Sequence, residues 1–208
     1  MQYVVRTSTT AANVHPNYPE YYPRTHWAIE TMLDQPEFKN MHFSSLQANG
    51  FSTMPLFSVV TFIKEFRETG KQIPLRFIVD QETPSAMIDP YDVGVFAAHL
   101  LAQEDTARHN GKHYVVNGPE DDTGEQIMKM AEEYIGQRAK DVRYADLALV
   151  DEFIANYLGS KNLISSIKKA PVTTWEGKAE AEATSKEVPS IYSPKRTVRE
   201  TLKNMLSG

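Results

Sequence analysis

Apolar residues along this chain follow two spacings, which predict strands and helices in alternation. Short β-prone runs predict strands at 3–8, 41–46, 75–79 and 112–116. Between and after these runs, apolar residues recur every three or four positions, which is typical of amphipathic helices. The predicted helices cover residues 24–33, 53–70, 90–101, 124–136, 146–158 and 194–205.

The order of these elements, β–α–β–α–β–β–α–β–α with a helical tail, indicates an α/β protein. The additional strand in this order ends at Ile88, where the chain turns directly into a helix. Strands separated by helices favour parallel pairing with right-handed crossovers. The chain has 208 residues and no internal repeat, and this length allows a sizeable core in one domain.

The turn after Ile88 is the clearest boundary in the sequence. Asp89 is a good N-cap, Pro90 suits the first helical position, and Asp92 places a carboxylate near the positive end of the helix dipole. Capping is the favoured interpretation of both aspartates. The alternative is a ligand-facing role, because such turns form the binding edge of open α/β sheets.

Two stretches break the regular pattern. Residues 13–23 contain three prolines and three tyrosines, so we expect a loop of the kind that often carries function. Residues 171–189 are polar and low in complexity, which predicts a long excursion over the surface.

Composition narrows the functional classes. A net charge of −5 without a basic stripe argues against nucleic-acid binding, and six scattered histidines without HExxH spacing predict no metal site. The chain has no cysteine, which excludes a disulfide or a thiol nucleophile. No apolar run approaches the roughly 20 residues that cross a bilayer, and no signal-peptide pattern is present. We therefore expect a cytoplasmic protein, with the nucleus as the alternative, and no membrane or nucleic-acid partner.

Ser8, Tyr22 and His26 form the first candidate catalytic group. Ser8 ends the first predicted strand, and a helix beginning at Tyr22 would place residues 22 and 26 on one face. A hydroxyl, a phenol and a titratable nitrogen together can deliver a proton to a reduced carbonyl, with the nitrogen lowering the phenol pKa and the serine orienting the substrate. The alternative is a tyrosine-rich loop beside a surface histidine.

A second candidate is the turn after the second predicted strand. Ligands bind at the carboxyl ends of parallel strands, and an Asn-Gly pair lets a ligand approach the backbone closely. An ordinary strand-to-helix turn is the alternative. The turn consists of Gln47, Ala48, Asn49, Gly50 and Phe51.

Five segments, in order along the chain, carry a resemblance to one known family. They are residues 4–8, 26–30, 45–51, 88–101 and 110–119. Together they resemble the C-terminal two-thirds of fungal NmrA-like proteins, which belong to the atypical, extended short-chain dehydrogenases/reductases.

This resemblance implies a partial Rossmann-like parallel sheet, made of the later strands only, with a small C-terminal α/β region on the substrate side. A single NmrA-like domain would span residues 1–208, with 1–80 as the remnant of the sheet and 81–208 as the substrate-side region and helical tail. The implied cofactor is NAD(P), with the turn at 47–51 beside the nicotinamide or the substrate.

The sequence departs from the family in two ways. The GxxGxxG turn that holds the pyrophosphate is absent from these 208 residues. By the family layout Met1 lies just before the fifth strand, so the first four strands would be missing and the first strand here would expose an unpaired edge. The family's Tyr-x-x-x-Lys appears as Tyr22-x-x-x-His26, and histidine is only partly charged at pH 7.

The sequence leaves three functional hypotheses open. The first is an NAD(P)H-dependent oxidoreductase of a small organic substrate, impaired by loss of the pyrophosphate-binding half. The second is a non-catalytic dinucleotide-sensing regulator that acts through protein contacts. The third is a truncated product without autonomous function, stable when a homodimer or another partner covers the open sheet edge.

Overall fold

The computed structural model describes residues 2–207, which form a mixed α/β protein with two parallel sheets. Its strands are β1 (Gln2–Thr7), β2 (Met41–Ala48), β3 (Leu75–Arg76), β4 (Lys112–Val116) and β5 (Val142–Arg143). Its helices are α1 (Tyr21–Leu33), α2 (Thr53–Thr69), α3 (Pro90–Leu101), α4 (Gly124–Ile135), α5 (Ala148–Asn156), α6 (Lys161–Ser165), α7 (Val172–Trp175), α8 (Val188–Ile191) and α9 (Val198–Ser207).

The larger sheet has the strand order β1-β2-β4, and all three strands are parallel. Val4 lies opposite Phe43, and Leu46 lies opposite Tyr114. Within residues 2–207, β1 pairs only with β2, so one of its edges is unpaired, as the resemblance predicted. Helix α1 connects β1 to β2 and packs on this sheet.

The two faces of the larger sheet differ in polarity, because successive side chains of a strand point to opposite faces. One face is apolar and joins α3 in a core cluster. The other face carries polar side chains that meet α1. The apolar cluster includes Leu46, Ala48, Phe96, Leu100, Tyr114 and Val116. The polar side chains are those of Arg6, Ser45, Gln47 and His113.

A second core cluster lies around the smaller sheet, in which β3 pairs with β5. It joins the apolar faces of α2, α4 and α9, and Phe62, Phe77 and Ile127 are fully buried within it. In residues 2–207, no helix has both the length and the apolar content that crossing a bilayer requires.

The capping signals in the sequence are confirmed. The Asp89 carboxylate accepts a hydrogen bond from the Tyr91 N–H at 2.8 Å, and Thr123 forms a capping box with Gln126. Helices α2 and α4 end at Gly70 and Gly136, whose φ angles of 69° and 70° lie in the left-handed region that favours glycine.

Two expectations are corrected. The predicted strand ending at Ile88 is reduced to isolated bridges, Phe51 with Ile88 and Ser85 with Asp122. The polar stretch 171–189 is not a simple surface excursion. Its Ala179 is buried, and the Ala179 carbonyl accepts a hydrogen bond from the Ala86 N–H at 2.9 Å. Main-chain hydrogen bonds hold this segment in place. The polarity of its side chains does not reveal such bonds, so the sequence pattern predicted a surface segment.

Asp92 anchors the C-terminal segment to α3. Its carboxylate is fully buried and accepts hydrogen bonds from the Tyr192 hydroxyl at 2.6 Å and from the Lys195 and Arg196 N–H groups at 2.9 and 2.8 Å. Three donors from a segment about a hundred residues away make Asp92 a tertiary contact as well as a first-turn carboxylate.

We expect Asp92→Asn to lower the free energy of unfolding by about 2–4 kcal/mol, because an amide NH₂ would face the buried backbone donors. Urea unfolding measures this loss. The matched control is Glu104→Gln at an exposed position beyond α3, for which we expect a change within about 0.5 kcal/mol. Equal effects of the two substitutions would contradict the anchoring role.

Candidate active site

Glu30 is the centre of the polar layer between α1 and the larger sheet. Its side chain is buried, and each carboxylate oxygen accepts two hydrogen bonds. Oε1 accepts from Arg6 Nη1 at 3.0 Å and Ser45 Oγ at 2.5 Å. Oε2 accepts from Gln47 Nε2 at 3.0 Å and His113 Nδ1 at 2.9 Å. All three strands of the sheet therefore contact one residue of α1.

The electrostatics of Glu30 follow from these contacts. Burial acts to raise the pKa of its carboxyl group, but hydrogen bonds from His113 and Ser45 outweigh burial and lower the pKa to about 2. The pKa of His113 is raised, chiefly by its hydrogen bond to Glu30. The carboxylate stays ionised at neutral pH, and its charge is offset by Arg6.

Arg6 fixes the protonation state of His26. Arg6 Nη2 lies 2.9 Å from His26 Nδ1, and a guanidinium group has no acceptor, so Nδ1 must be the acceptor. The proton of the neutral ring therefore lies on Nε2. Burial and the charge of Arg6 both lower the pKa of His26, which agrees with a neutral imidazole.

Tyr22 and His26 lie on one face of α1, as their spacing predicted. Their rings are 4.8 Å apart between centroids and cross at 76° in an edge-to-face contact. The Tyr22 N–H donates to Ser166 Oγ at 3.0 Å, which ties the start of α1 to a distant segment. Burial raises the pKa of Tyr22, and the nearby charge of Arg6 acts in the opposite direction.

Ser8 lies just beyond β1, and its N–H donates to the Leu46 carbonyl at 2.7 Å. Its hydroxyl is buried and makes no hydrogen bond of good geometry within residues 2–207. The hydroxyl is near enough to Glu30 to contribute to the lowering of that carboxyl pKa. A buried hydroxyl without a partner is uncommon, because its desolvation is uncompensated.

The proline-rich loop before α1 is held by a segment from the second half of the chain. Asn13 is fully buried, donates to the Ala170 carbonyl at 3.1 Å and accepts from Thr173 Oγ1 at 2.6 Å. The Tyr18 hydroxyl donates to the Lys169 carbonyl at 2.8 Å. Together with the Ser166 contact, these bonds fix the loop that links Ser8 to Tyr22.

The turn at 47–51 divides into a structural part and an accessible part. Gln47 contacts Glu30, Ala48 lies in the apolar core, and Asn49 donates to the Ala86 and Ala179 carbonyls. Gly50 is exposed, with nothing within 4 Å of the position a Cβ would take, and Phe51 is partly buried. At the end of β2, Gly50 is therefore exposed and Phe51 partly exposed, while the partly exposed Gln47 is bonded to Glu30.

Sequence reasoning missed Arg6, Glu30 and His113. Each is a polar residue within a β-prone or helical segment, which is typical of a solvent-facing position. The signal that was present is the repetition of polar residues at inward-facing positions of three neighbouring strands. Recognising it requires the strand order and register, which the linear pattern does not supply.

Two open depressions of the surface lie away from this group. One of about 320 Å³ lies between α4 and α9, and one of about 460 Å³ borders the end of α5. Neither is lined by Ser8, Tyr22 or His26. Neither depression therefore marks the candidate active site, which is defined by its side chains alone.

Comparison with family models and with curated proteins finds no match to this chain. Solved structures do match. An NADPH-dependent quinone oxidoreductase from Escherichia coli is 16% identical, with a TM-score of 0.69 over 99% of this chain and 68% of that chain. Triphenylmethane reductase from Citrobacter sp., complexed with NADP(H), is 14% identical, with a TM-score of 0.64 over 98% of this chain and 65% of that chain.

A nucleoside-diphosphate-sugar epimerase from Staphylococcus aureus is 10% identical, with a TM-score of 0.62 over 98% of this chain and 65% of that chain. The chain thus spans about two thirds of the length of these proteins. At these identities the likeness shows the fold, which is the Rossmann-like α/β fold of NADPH-dependent reductases.

The contact between His113 and Glu30 predicts a pH-dependent contribution to stability. Because the folded pKa of His113 is raised, this contribution is fully present below the unfolded pKa near 6.5 and is lost as the pH rises through the folded pKa. We expect the difference in unfolding free energy between the wild type and His113→Gln to shrink as the pH rises from 5.5 to 9. Urea unfolding at each pH measures it.

The control repeats the comparison in a Glu30→Gln background, where the partner charge is gone and the pH-dependent part of the difference should vanish. A wild-type difference that stays constant across this pH range would contradict the assignment.

Proposed function

We propose that this chain is an NmrA-like NAD(P)H-dependent reductase of a small organic substrate, in which Tyr22 is the proton donor. The observation that carries the proposal is the contact of Tyr22 with His26 on α1, which Arg6 and Glu30 link to the end of β1, where Ser8 lies near Glu30. The likeness in fold to NADPH-dependent reductases supports the reaction class. The fungal type of the family is part of the proposal.

The polar group at the strand ends supplies the chemistry that such a reduction needs. The Ser8 hydroxyl would donate to a carbonyl oxygen of the substrate, and Tyr22 carries a proton at neutral pH as any phenol does, with its pKa raised further by burial. His26, with its proton on Nε2, packs against the Tyr22 ring and orients it. These residues would bind and protonate the oxygen atom of the substrate.

The residues at the strand ends fit one end of a dinucleotide better than the other. The open surface at Gly50 and the unpartnered Ser8 hydroxyl suit a nicotinamide ring with its carboxamide. A pyrophosphate cradle needs a glycine whose backbone is open toward the ligand at a helix N-terminus. Gly118 and Gly124, before α4, instead abut the Met87 and Asp80 carbonyls, since an added Cβ would lie 2.0 and 2.5 Å from those oxygens.

A reduced nicotinamide, when bound, supplies the hydride for this reaction. The contribution of the chain is to exclude water on the α1 side, orient the substrate oxygen through Ser8 and hold a proton on Tyr22. Because Gly118 and Gly124 are closed by carbonyl oxygens and Gly50 is a single open glycine before α2, we expect the adenosine diphosphate half of the cofactor to add little to binding. Gly50 and Phe51 would then carry most of the cofactor contact.

Two other functions are compared with the reductase. One is a dinucleotide-sensing regulator, and the other is a product without autonomous function that needs a partner or a second copy on the β1 edge. The regulator would bind the nucleotide without turnover. The partner-dependent product would be stable only when the unpaired edge of β1 is covered. The proton-donating group favours the reductase over both.

The test compares Tyr22→Phe with the wild type in the reduction of menadione, using NADPH and reduced nicotinamide mononucleotide in parallel. We expect Tyr22→Phe to lower kcat/KM by about 100-fold or more, because general acid catalysis is lost. We also expect the two reductants to give kcat/KM values within about tenfold of each other. Without a cradle, the adenosine diphosphate half of NADPH would contribute little binding free energy.

The control is Tyr21→Phe, because the neighbouring phenol is 58% exposed and should leave turnover unchanged. Equal turnover by Tyr22→Phe and the wild type would refute the role of Tyr22. A preference for NADPH of more than a hundredfold would refute the missing cradle. Binding without turnover would favour the regulator.

A further inference from the structure

We propose that Arg6, oriented by Glu30, is the positioning residue of this site: it holds the Tyr22–His26 pair and supplies the positive charge beside the phenol. This inference rests on the proposed role of Tyr22 as the proton donor. It assigns to Arg6 the pKa-lowering role that the sequence pattern predicts for the nitrogen of His26.

The contacts form one chain from α1 through the sheet and back to α1. Glu30 and Ser45 receive the two bonds of Arg6 Nη1 at 3.0 and 3.1 Å, which fixes the plane of the guanidinium group. Arg6 Nη2 then donates to His26 Nδ1. The His26 and Tyr22 rings meet edge to face, with their centroids 4.8 Å apart. Moving Arg6 would therefore release the ring that orients the phenol.

His26 cannot supply the positive charge in this arrangement. Protonation of Nδ1 would place an N–H against the Nη2–H of Arg6, so the geometry selects the neutral ring. A guanidinium group, in contrast, stays charged at every pH at which the protein is folded. Arg6 is thus the permanent cation at the Tyr22 end of the polar layer.

Two other charged groups lie near the start of α1, Glu20 and Lys169, and they pair with each other at 3.7 Å. On β4, His113 is bonded to the far oxygen of Glu30. On β2, Ser45 and Gln47 are neutral, and Ser166, which binds the Tyr22 N–H, is neutral too. The Glu30 carboxylate is surrounded by four donors. The charge that acts on Tyr22 is therefore that of Arg6, which opposes the rise in the phenol pKa caused by burial.

The test measures the pKa of Tyr22 by NMR titration of protein labelled with ¹³C at the tyrosine Cζ, with the Tyr22 signal assigned from the spectrum of Tyr22→Phe. We expect Arg6→Gln to raise the Tyr22 pKa by about 1 pH unit. Arg6→Lys keeps the charge and should restore a pKa near that of the wild type. A merely structural role of Arg6 would not produce this rescue.

The double variant Arg6→Gln/Glu30→Gln is measured in case Arg6→Gln alone does not fold. It removes both buried charges and leaves amides that can hydrogen-bond. It should raise the Tyr22 pKa as Arg6→Gln does. A Tyr22 pKa within about 0.2 of the wild-type value in every folded Arg6→Gln protein would overturn the inference.

The titration needs no cofactor, so its outcome is separate from that of the reductase assay. If the wild type does not reduce menadione but the Tyr22 pKa responds to Arg6, the proposed function would be refuted and the electrostatic role of Arg6 would stand. Turnover that depends on Tyr22, together with a Tyr22 pKa indifferent to Arg6, would refute the role of Arg6 alone.

Discussion

The structure depends on the burial of one ionised carboxylate, that of Glu30, between a helix and a three-stranded sheet. Removing such a group from water is unfavourable by several kcal/mol unless its lone pairs are satisfied. Here four donors satisfy them, one each from Arg6, Ser45, Gln47 and His113. Because the donors come from β1, β2 and β4, the position of α1 is specified relative to all three strands at once.

This constraint carries over to the chemistry at the strand ends. Glu30 orients Arg6, Arg6 selects the tautomer of His26, and His26 packs against Tyr22. Ser8, just beyond the same strand as Arg6, has a buried hydroxyl near Glu30. In the proposed reaction, the polar layer that holds α1 in place would also position the phenol and the hydroxyl for a substrate, which would link the stability of the fold to that reaction.

The sequence was sufficient for the fold class and for most helices, because capping residues such as Asp89 and Thr123 and the glycines that end α2 and α4 act locally. It was insufficient where long-range contacts decide. The short strand β5 gives no periodic signal over two residues, and the segment around Ala179 is held by main-chain bonds.

The candidate site was partly predictable for the same reason. Tyr22 and His26 are four residues apart on one helix, so their contact follows from local geometry. Glu30 also binds two residues that are distant in sequence. Arg6 lies 24 positions from Glu30, and His113 lies 83 positions from it. Such pairs become visible only when the register of the parallel strands is known.

The most direct test of the account is a double-mutant cycle between Arg6→Gln and Glu30→Gln, measured as the free energy of unfolding in urea at pH 7. Each single substitution leaves one buried charge without its partner, whereas the double substitution removes both. The account predicts a coupling energy of about 2 kcal/mol, with the double variant more stable than the sum of the single effects implies. Additive effects, within about 0.5 kcal/mol, would contradict it.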